Sequence, residues 1–142
     1  MDFLFELTIP AQTTENAPVE QVVNVGAGVI VKCEVGFPEG LAALARARVR
    51  QALTPRYPSN QGAWYHWDDY IYETPDHLVI KKGDPPLTLC GWNEDDSYPH
   101  TITFRFITLP VSVVDAGAKG EKYLKRLVDL FTPKRLREPN NG

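Results

Sequence analysis

The chain lacks the features that mark several large classes of protein. Its 142 residues include two cysteines and one methionine, and no apolar run approaches the 18 or more residues that span a bilayer. The segment from Met1 to Glu6 has neither the basic region nor the small-residue cleavage site of a secretory signal. We therefore expect a protein made in the cytoplasm, with no leader and no contact with a membrane.

The two cysteines fit neither a disulfide framework nor a metal site. Cys33 and Cys90 stand alone, without the CxxC or Cys/His spacing that zinc sites use. Each lies inside a segment with the pattern of a strand. We expect two buried free thiols.

Signatures of catalysis are also missing. The sequence has no GxSxG, no HExxH, no glycine-rich phosphate loop and no cysteine close to a histidine. His66 beside Trp67-Asp68-Asp69, or His100 four residues after Asp96, could pair with a carboxylate for acid/base work, but no nucleophile is nearby. We interpret His77 as a strand-edge residue. The sequence predicts a protein that is not an enzyme and that has no cofactor or metal.

The acidic stretch Asn93-Glu94-Asp95-Asp96 could suggest a calcium site. A calcium loop spaces its oxygen ligands at alternate positions of a twelve-residue frame with a central glycine, and this segment has no such frame. We interpret it as a turn between two strands, in which Asn and Asp side chains cap their own backbone.

What the sequence has is short alternating segments punctuated by turns. Phe3, Phe5, Leu7 and Ile9 alternate with outward positions, as in a half-buried strand. The other predicted strands are 19–25, 29–37 with a bulge at Gly36, 41–53, 70–72, 77–81, 87–92 and 100–109, with 19–25 and 29–37 forming a hairpin and 54–70 a long loop. About eight strands without alternating helices indicate an all-β fold, a small antiparallel β-barrel or sandwich.

Residues 41–53 are ambiguous between helix and strand. Alanine, leucine and arginine favour a helix, but only a strand places Arg46, Arg48 and Arg50 on one face, opposite Ala45, Ala47 and Val49. We therefore predict a strand.

The C-terminal part differs from the body. Residues 1–110 form the predicted body, whereas 111–142 form an arm with a linker at 111–120, an amphipathic helix at 121–131 and a basic tail. The helix carries an apolar stripe of Tyr123, Leu124, Leu127, Val128 and Phe131. We expect this stripe to form a subunit interface by packing on a neighbouring chain. The alternative is a helix folded back on its own body.

Charge separates the same two parts. Residues 1–116 hold 8 Lys and Arg against 15 Asp and Glu, a net charge of −7, and residues 117–142 hold 7 against 3, a net charge of +4. The tail lacks a clustered basic run with interleaved aromatics, so we predict no direct binding of nucleic acid. Attraction to the acidic body of another chain explains the basic tail equally well.

Two groups of side chains could form a partner surface. Arg46, Arg48 and Arg50 share a predicted strand face, and Trp64, Tyr65, Trp67, Tyr70 and Tyr72 form an aromatic cluster. Arginines on an acidic body favour ion pairs within the sheet or across a protein interface. The aromatics favour packing or subunit contact over stacking of sugars. We take Arg46, Arg48, Arg50, Trp64 and Trp67 as the candidate surface.

Three segments carry a resemblance to a known family. "FLFELTIPA", "CEVGFPEG" and "GWNEDDSYPHTITFRFITLP" resemble parts of the capsid decoration proteins, also called auxiliary or cement proteins, of long-tailed Thermus bacteriophages. The similarity covers most of residues 1–110. It implies a thermostable β-tulip-like body that forms a homotrimer on the outside of the virion, binds the major capsid protein and braces it against internal DNA pressure. The family has no active site to carry over. The alternative is a β-sandwich module that binds carbohydrate or a host surface through the cluster from Trp64 to Tyr72.

Overall fold

The protein is a two-layer sandwich of antiparallel strands. The computed structural model describes residues 1–114, 125–126 and 128–129. Its elements are β1 (Asp2–Ile9), β2 (Val19–Val23), β3 (Gly28–Phe37), β4 (Ala45–Gln51), β5 (Thr54–Tyr57), β6 (Tyr70–Ile80), β7 (Leu87–Asn93), β8 (His100–Leu109) and α1 (Val111–Val114). The expected all-β class is confirmed.

The strand order is that of a jelly roll. One sheet has the order β1-β8-β3-β6 and the other has the order β2-β7-β4-β5. First pairs with last, second with seventh, third with sixth and fourth with fifth, as if one long hairpin were rolled into two layers. The resemblance implied a β-tulip-like body and did not specify this order.

The prediction of a strand within 41–53 is confirmed for Ala45–Gln51. Ala45, Ala47 and Val49 are fully buried, while the intervening arginines are partly exposed on the other face. Alternate burial along a strand selects side chains by position and overrides the helix propensity of alanine and arginine.

The predicted hairpin between 19–25 and 29–37 is wrong. β2 pairs with β7, whereas β3 pairs with β6 and β8 in the other sheet. The turn at Gly26 therefore carries the chain from one layer to the other. Such a crossover and a hairpin turn leave the same local pattern of glycines between apolar strands, so the pattern could not separate them.

The predicted bulge at Gly36 is also wrong, because the irregularity of β3 lies between Ile30 and Lys32. Gly36 serves close packing instead. A Cβ atom there would lie 2.4 Å from Thr103 Oγ1 on the neighbouring strand.

Residues 70–81 form one strand, not two. β6 runs unbroken through Pro75, which is tolerated because β6 is the edge strand of its sheet and one of its sides needs no donors. The predicted loop 54–70 likewise contains β5, and Tyr65 forms a bridge with Ala47. Both differences arise because proline was interpreted as a break.

The main core fills the space between the sheets. Its largest fully buried side chains include Tyr57, Phe104 and Phe106. The layers are in close contact at Gly91, where a Cβ atom would lie 2.3 Å from Ile9 Cδ1. Only glycine at this position lets Ile9 pack directly on the β7 backbone.

A second, smaller cluster connects the body to the C-terminal part. It contains Val29, Val31, Ile107 and Val114, with Val128 packed against it. The linker predicted to begin at Val111 is therefore wrong in its first four residues, since these form α1 and bury Val114. The helical turn α1 forms because Val114 can pack on apolar residues of the body.

The predicted interface stripe falls largely outside the residues that the structure describes. Tyr123, Leu124, Leu127 and Phe131 lie outside the described residues. Val128 is partly buried and packs, within one chain, on the second cluster. Exchange of the helix between subunits stays a prediction. No helix in the described part of the chain is long and apolar enough to cross a bilayer.

Candidate functional site

Three arginines of β4 lie on the outer face of the β2-β7-β4-β5 sheet. Residues directly opposite each other on paired strands share a face, and the register places Arg46 opposite Trp92, Arg48 opposite Cys90 and Arg50 opposite Thr88. The inner face of β4 is filled by its alanines and valine. The arginines therefore gather on one side of the sandwich although the body as a whole is acidic.

The two outer arginines are held by partners within the chain. Arg46 donates to the carbonyl of Ala43 at 2.8 Å and lies 3.6 Å from the Glu94 carboxylate. Arg50 donates to the carbonyl of Ala52 at 2.7 Å, and its Nη2 lies 2.8 Å from Glu20 Oε1. The bond to Glu20 raises the pKa of Arg50 above its ordinary value. These two guanidinium groups are fixed and charged.

The central arginine is different. The guanidinium carbon of Arg48 lies 4.0 Å from the ring centre of Trp64, a cation–π contact. Within residues 1–114, 125–126 and 128–129, Arg48 makes no ion pair, and its buried Nε finds no acceptor. Among these residues, its charge is balanced by an aromatic face and not by a carboxylate.

Tryptophans complete this surface. Trp64 meets Trp92 edge to face at 6.2 Å, and Arg46 lies 5.2 Å from the Trp92 ring centre. Trp64 Nε1 donates to Glu15 at 3.2 Å, whereas the buried Trp92 Nε1 has no acceptor among the described residues. We call Arg46, Arg48, Arg50, Trp64 and Trp92 the arginine–tryptophan face.

The structure thus brings together four of the five residues predicted for a partner surface. Trp67 is not among them, since it packs against Tyr70 at the start of β6. Trp92 was missed. The alternation of Cys90, Gly91 and Trp92 in a strand could have suggested that Trp92 faces outward, but only the register with β4 places it beside Arg46.

The predicted aromatic cluster divides. Tyr65 stacks on Tyr72 at 4.5 Å, and Tyr70 meets Tyr72 edge-on at 4.9 Å. Trp64 instead belongs to the arginine–tryptophan face. Trp67 and Tyr70 remain 54% and 50% exposed. Tyr70, which Trp67 contacts, lines an open groove together with Gly36, Asp69, Ile71, Glu73 and Thr103. Apolar rings and carboxylates therefore meet at the β6 edge.

The acidic stretch is a capped turn, as predicted, although Asn93 is fully buried and not solvated. Asn93 Nδ2 donates to the carbonyls of Ile9 and Tyr98, and its Oδ1 accepts from the Asp95 amide. Asp95 in turn accepts from the Ser97 and Tyr98 amides through Oδ1. This network connects the two sheets where β7 leads into β8.

The imagined acid/base pairs resolve into structural contacts. His100 Nε2 lies 2.8 Å from Asp95 Oδ2. The Ser97 amide, and then His100, lower the pKa of Asp95, so the carboxylate stays ionised and engaged through both oxygens. Asp68 accepts from the amides of Gly40 and Leu41. His77 lies in the edge strand β6, as predicted.

The titratable groups that a metal would need do not converge in the described part. No group of three His, Cys, Asp or Glu side chains there could hold a metal ion. Cys33 and Cys90 are free and buried, as expected, and burial raises the pKa of both thiols. These thiols are packed in the protein and are not set up as ligands or nucleophiles.

Comparison with known proteins identifies no relative. No family model, no curated protein and no solved structure matches this chain. The chemistry of its surfaces is therefore the basis for a functional assignment.

Proposed function

We propose that this protein is a structural virion protein that binds the outside of a phage capsid as a trimer and stabilises it against internal DNA pressure. The observation that carries the proposal is the arginine–tryptophan face. Tryptophan and arginine dominate the energetic centres of protein interfaces, because each combines a large contact area with a polar group that selects its partner. A rigid sheet presents them here in a fixed arrangement.

The rest of the molecule supports binding over catalysis. The His100–Asp95 pair is used within a turn, and the buried thiols have raised pKa values. An eight-stranded sandwich holds its outward side chains in a set register, and prolines in and beside its connections favour the folded chain by restricting the unfolded one. The resemblance of residues 1–110 to capsid decoration proteins gives the partner its specific identity as the major capsid protein.

The proposed trimer rests on surface that one chain leaves uncovered. Leu4 and Ile71 are large apolar side chains that remain exposed in the monomer, and oligomers with closed symmetry are the usual way to cover such surface. The basic arm adds attraction to a neighbouring acidic body.

Mixing the protein with bare capsids tests the proposal. Co-sedimentation should reach saturation, and the decorated capsids should resist heating that opens bare ones. Sedimentation equilibrium of the free protein should give three times the 16.0 kDa of one chain. A monomer at micromolar concentration that leaves capsids bare would contradict the proposal.

A shortened chain tests the arm. The chain should be ended after Val114, because α1 contributes Val114 to the second cluster. The shortened protein should remain folded but form weaker trimers or attach less tightly to capsids. Unchanged trimers and unchanged attachment would remove the arm from the mechanism.

A second candidate function is supported by the groove at the β6 edge. Exposed rings such as Trp67 and Tyr70 can stack on the apolar face of a sugar, while Asp69 and Glu73 can accept bonds from its hydroxyls. A glycan array tests this module. Binding that Trp67→Ala abolishes and Trp64→Ala leaves intact would favour the carbohydrate function over the capsid.

A further inference from the structure

We propose that the arginine–tryptophan face binds a carboxylate group of an acidic partner protein, and that Arg48 is the residue that contacts it. The inference deepens the proposed function and rests on it for the identity of the partner, which is the capsid surface. It identifies the chemistry that the partner must present.

The argument begins with the difference between the three arginines. Arg46 and Arg50 each have a backbone carbonyl and a glutamate, so their donors are engaged within the chain. Arg48, between them, contacts only the ring of Trp64 in the part of the chain that the structure describes. A guanidinium presents its donors in a planar fork that matches the two oxygens of a carboxylate. Arg48 is therefore the arginine of this row whose guanidinium has no carboxylate partner among the described residues.

The unmet groups on this face have the same polarity. Arg48 Nε and Trp92 Nε1 are both donors, and both are buried without an acceptor in the described part of the chain. Buried donors without partners are costly, and in native proteins each one calls for an explanation. Neither atom is open to solvent, so an incoming carboxylate first meets the Nη groups of Arg48. Because no unmet acceptor accompanies these donors among the described residues, a group that approaches this part of the face must accept hydrogen bonds.

A protein carboxylate fits this face better than a nucleic-acid backbone. Glu20 and Glu94 hold the outer arginines, and Glu15 holds Trp64. These carboxylates would repel a continuous row of phosphates, which needs several free cations in series. A single carboxylate can reach Arg48 between them.

Apolar surface beside the arginines points the same way. Val22 lies opposite Thr88 in the register and is 65% exposed, so it extends the same sheet face on the other side of Thr88 from Arg50. Protein interfaces combine such apolar contact with a few charged anchors. Among the described residues, the face thus offers a cation without a carboxylate partner, two tryptophans and an apolar margin.

Two variants of Arg48 separate its possible roles. Arg48→Gln removes the charge, and Arg48→Lys keeps the charge but loses the planar fork. Arg48→Gln should weaken binding to bare capsids by roughly thirty-fold or more, the loss expected when a buried charge pair is broken. Arg48→Lys should weaken binding by a smaller factor, because it keeps the charge and loses the paired hydrogen bonds. Lys82→Gln is the charge-matched control, because Lys82 is exposed on the connection between β6 and β7, and it should bind within about two-fold of the original. Melting curves identify any variant that has lost its fold.

A second measurement needs no capsid. N-acetylglutamate α-amide, which has one carboxylate, and N-acetylglutamine α-amide, which has none, are titrated separately into the ¹⁵N-labelled full chain, and the Arg48 Nε–H and Trp92 indole N–H signals are followed by NMR. The glutamate derivative should shift both signals, and its glutamine counterpart should shift neither. If capsids are not bound while glutamate still shifts these signals, the proposed function fails and the carboxylate site stands.

Several results would overturn the inference. Arg48→Lys binding capsids as tightly as the original protein would show that only charge matters. Absence of a glutamate-dependent shift would remove the site itself. Loss of the trimer in Arg48→Gln would assign the face to contact between copies of this chain, and tight Arg48-dependent binding of a 20-nucleotide single-stranded DNA would assign it to nucleic acid.

Discussion

Replacing Asn93 with alanine tests whether the buried turn between β7 and β8 stabilises the sandwich. The Asn93 side chain is fully buried and makes three hydrogen bonds to backbone groups. Two of its partners, the carbonyls of Ile9 and Tyr98, belong to the end of β1 and the segment before β8. The alanine variant leaves all three backbone groups without their side-chain partner.

The expected cost follows from those contacts. A buried group that loses its partner costs about 1–3 kcal/mol, and water can restore part of this near the exposed Tyr98. We therefore expect Asn93→Ala to lower the free energy of unfolding by about 2–5 kcal/mol. That is a large part of the roughly 5–15 kcal/mol available to a domain.

Denaturant titration at one fixed protein concentration measures this loss, provided that the slope m is unchanged. Asn24→Ala is the matched control, because Asn24 accepts one bond from Gly26 in an exposed turn, and it should cost at most about 0.5 kcal/mol. Asn93→Asp should be worse than alanine at pH 7, since it points oxygens at two carbonyls. Burial should raise the pKa of that carboxyl group, so part of the deficit should disappear as the pH falls. Equal costs at Asn93 and Asn24 would refute the reasoning.

Three further predictions concern packing and ionisation. Gly91→Ala should destabilise the protein by roughly 1–3 kcal/mol, because the added Cβ would lie 2.3 Å from Ile9 Cδ1. Ile9→Val removes that atom, so a double-mutant cycle of the two changes should show favourable coupling. Additive effects of the two changes would contradict the contact. Tyr57 donates to Asp76 Oδ2 at 2.6 Å, and burial raises the pKa of the Tyr57 phenol above its ordinary 10.0, so the related stability is present below pH 10 and is lost as the pH rises above it. Tyr57→Phe should therefore be less stable at pH 7 yet lose less stability between about pH 10 and 12 in denaturant titrations; identical alkaline slopes would count against this. Cys33 and Cys90 are buried and burial raises the pKa of both thiols, so a thiol reagent should label neither before unfolding, whereas rapid labelling of the native protein would disprove their burial.

Strands with one buried face could be predicted from the sequence, because alternation is a local property. β1 and β8 were predicted nearly to the residue, and β4 was predicted against its helix propensity. In each case a shift of the strand's pairing register by one residue would turn its apolar side chains to solvent, so the alternation in the sequence fixes which face is buried. The capping role of Asn93 and Asp95 was equally local, since both bind backbone groups within a few residues.

Local patterns could not decide which strands become neighbours. β2 and β3 follow each other in sequence yet lie in different sheets, and β6 continues through Pro75 because it lies at an edge. The candidate site depends on the same long-range pairings. The sequence by itself determined that Arg46, Arg48 and Arg50 share one side of a strand. Only the tertiary structure decided that Trp64 covers Arg48 and that Trp92 lies beside Arg46. These residues are far apart in the sequence, and they come into contact only when the strands pair and the sheets pack.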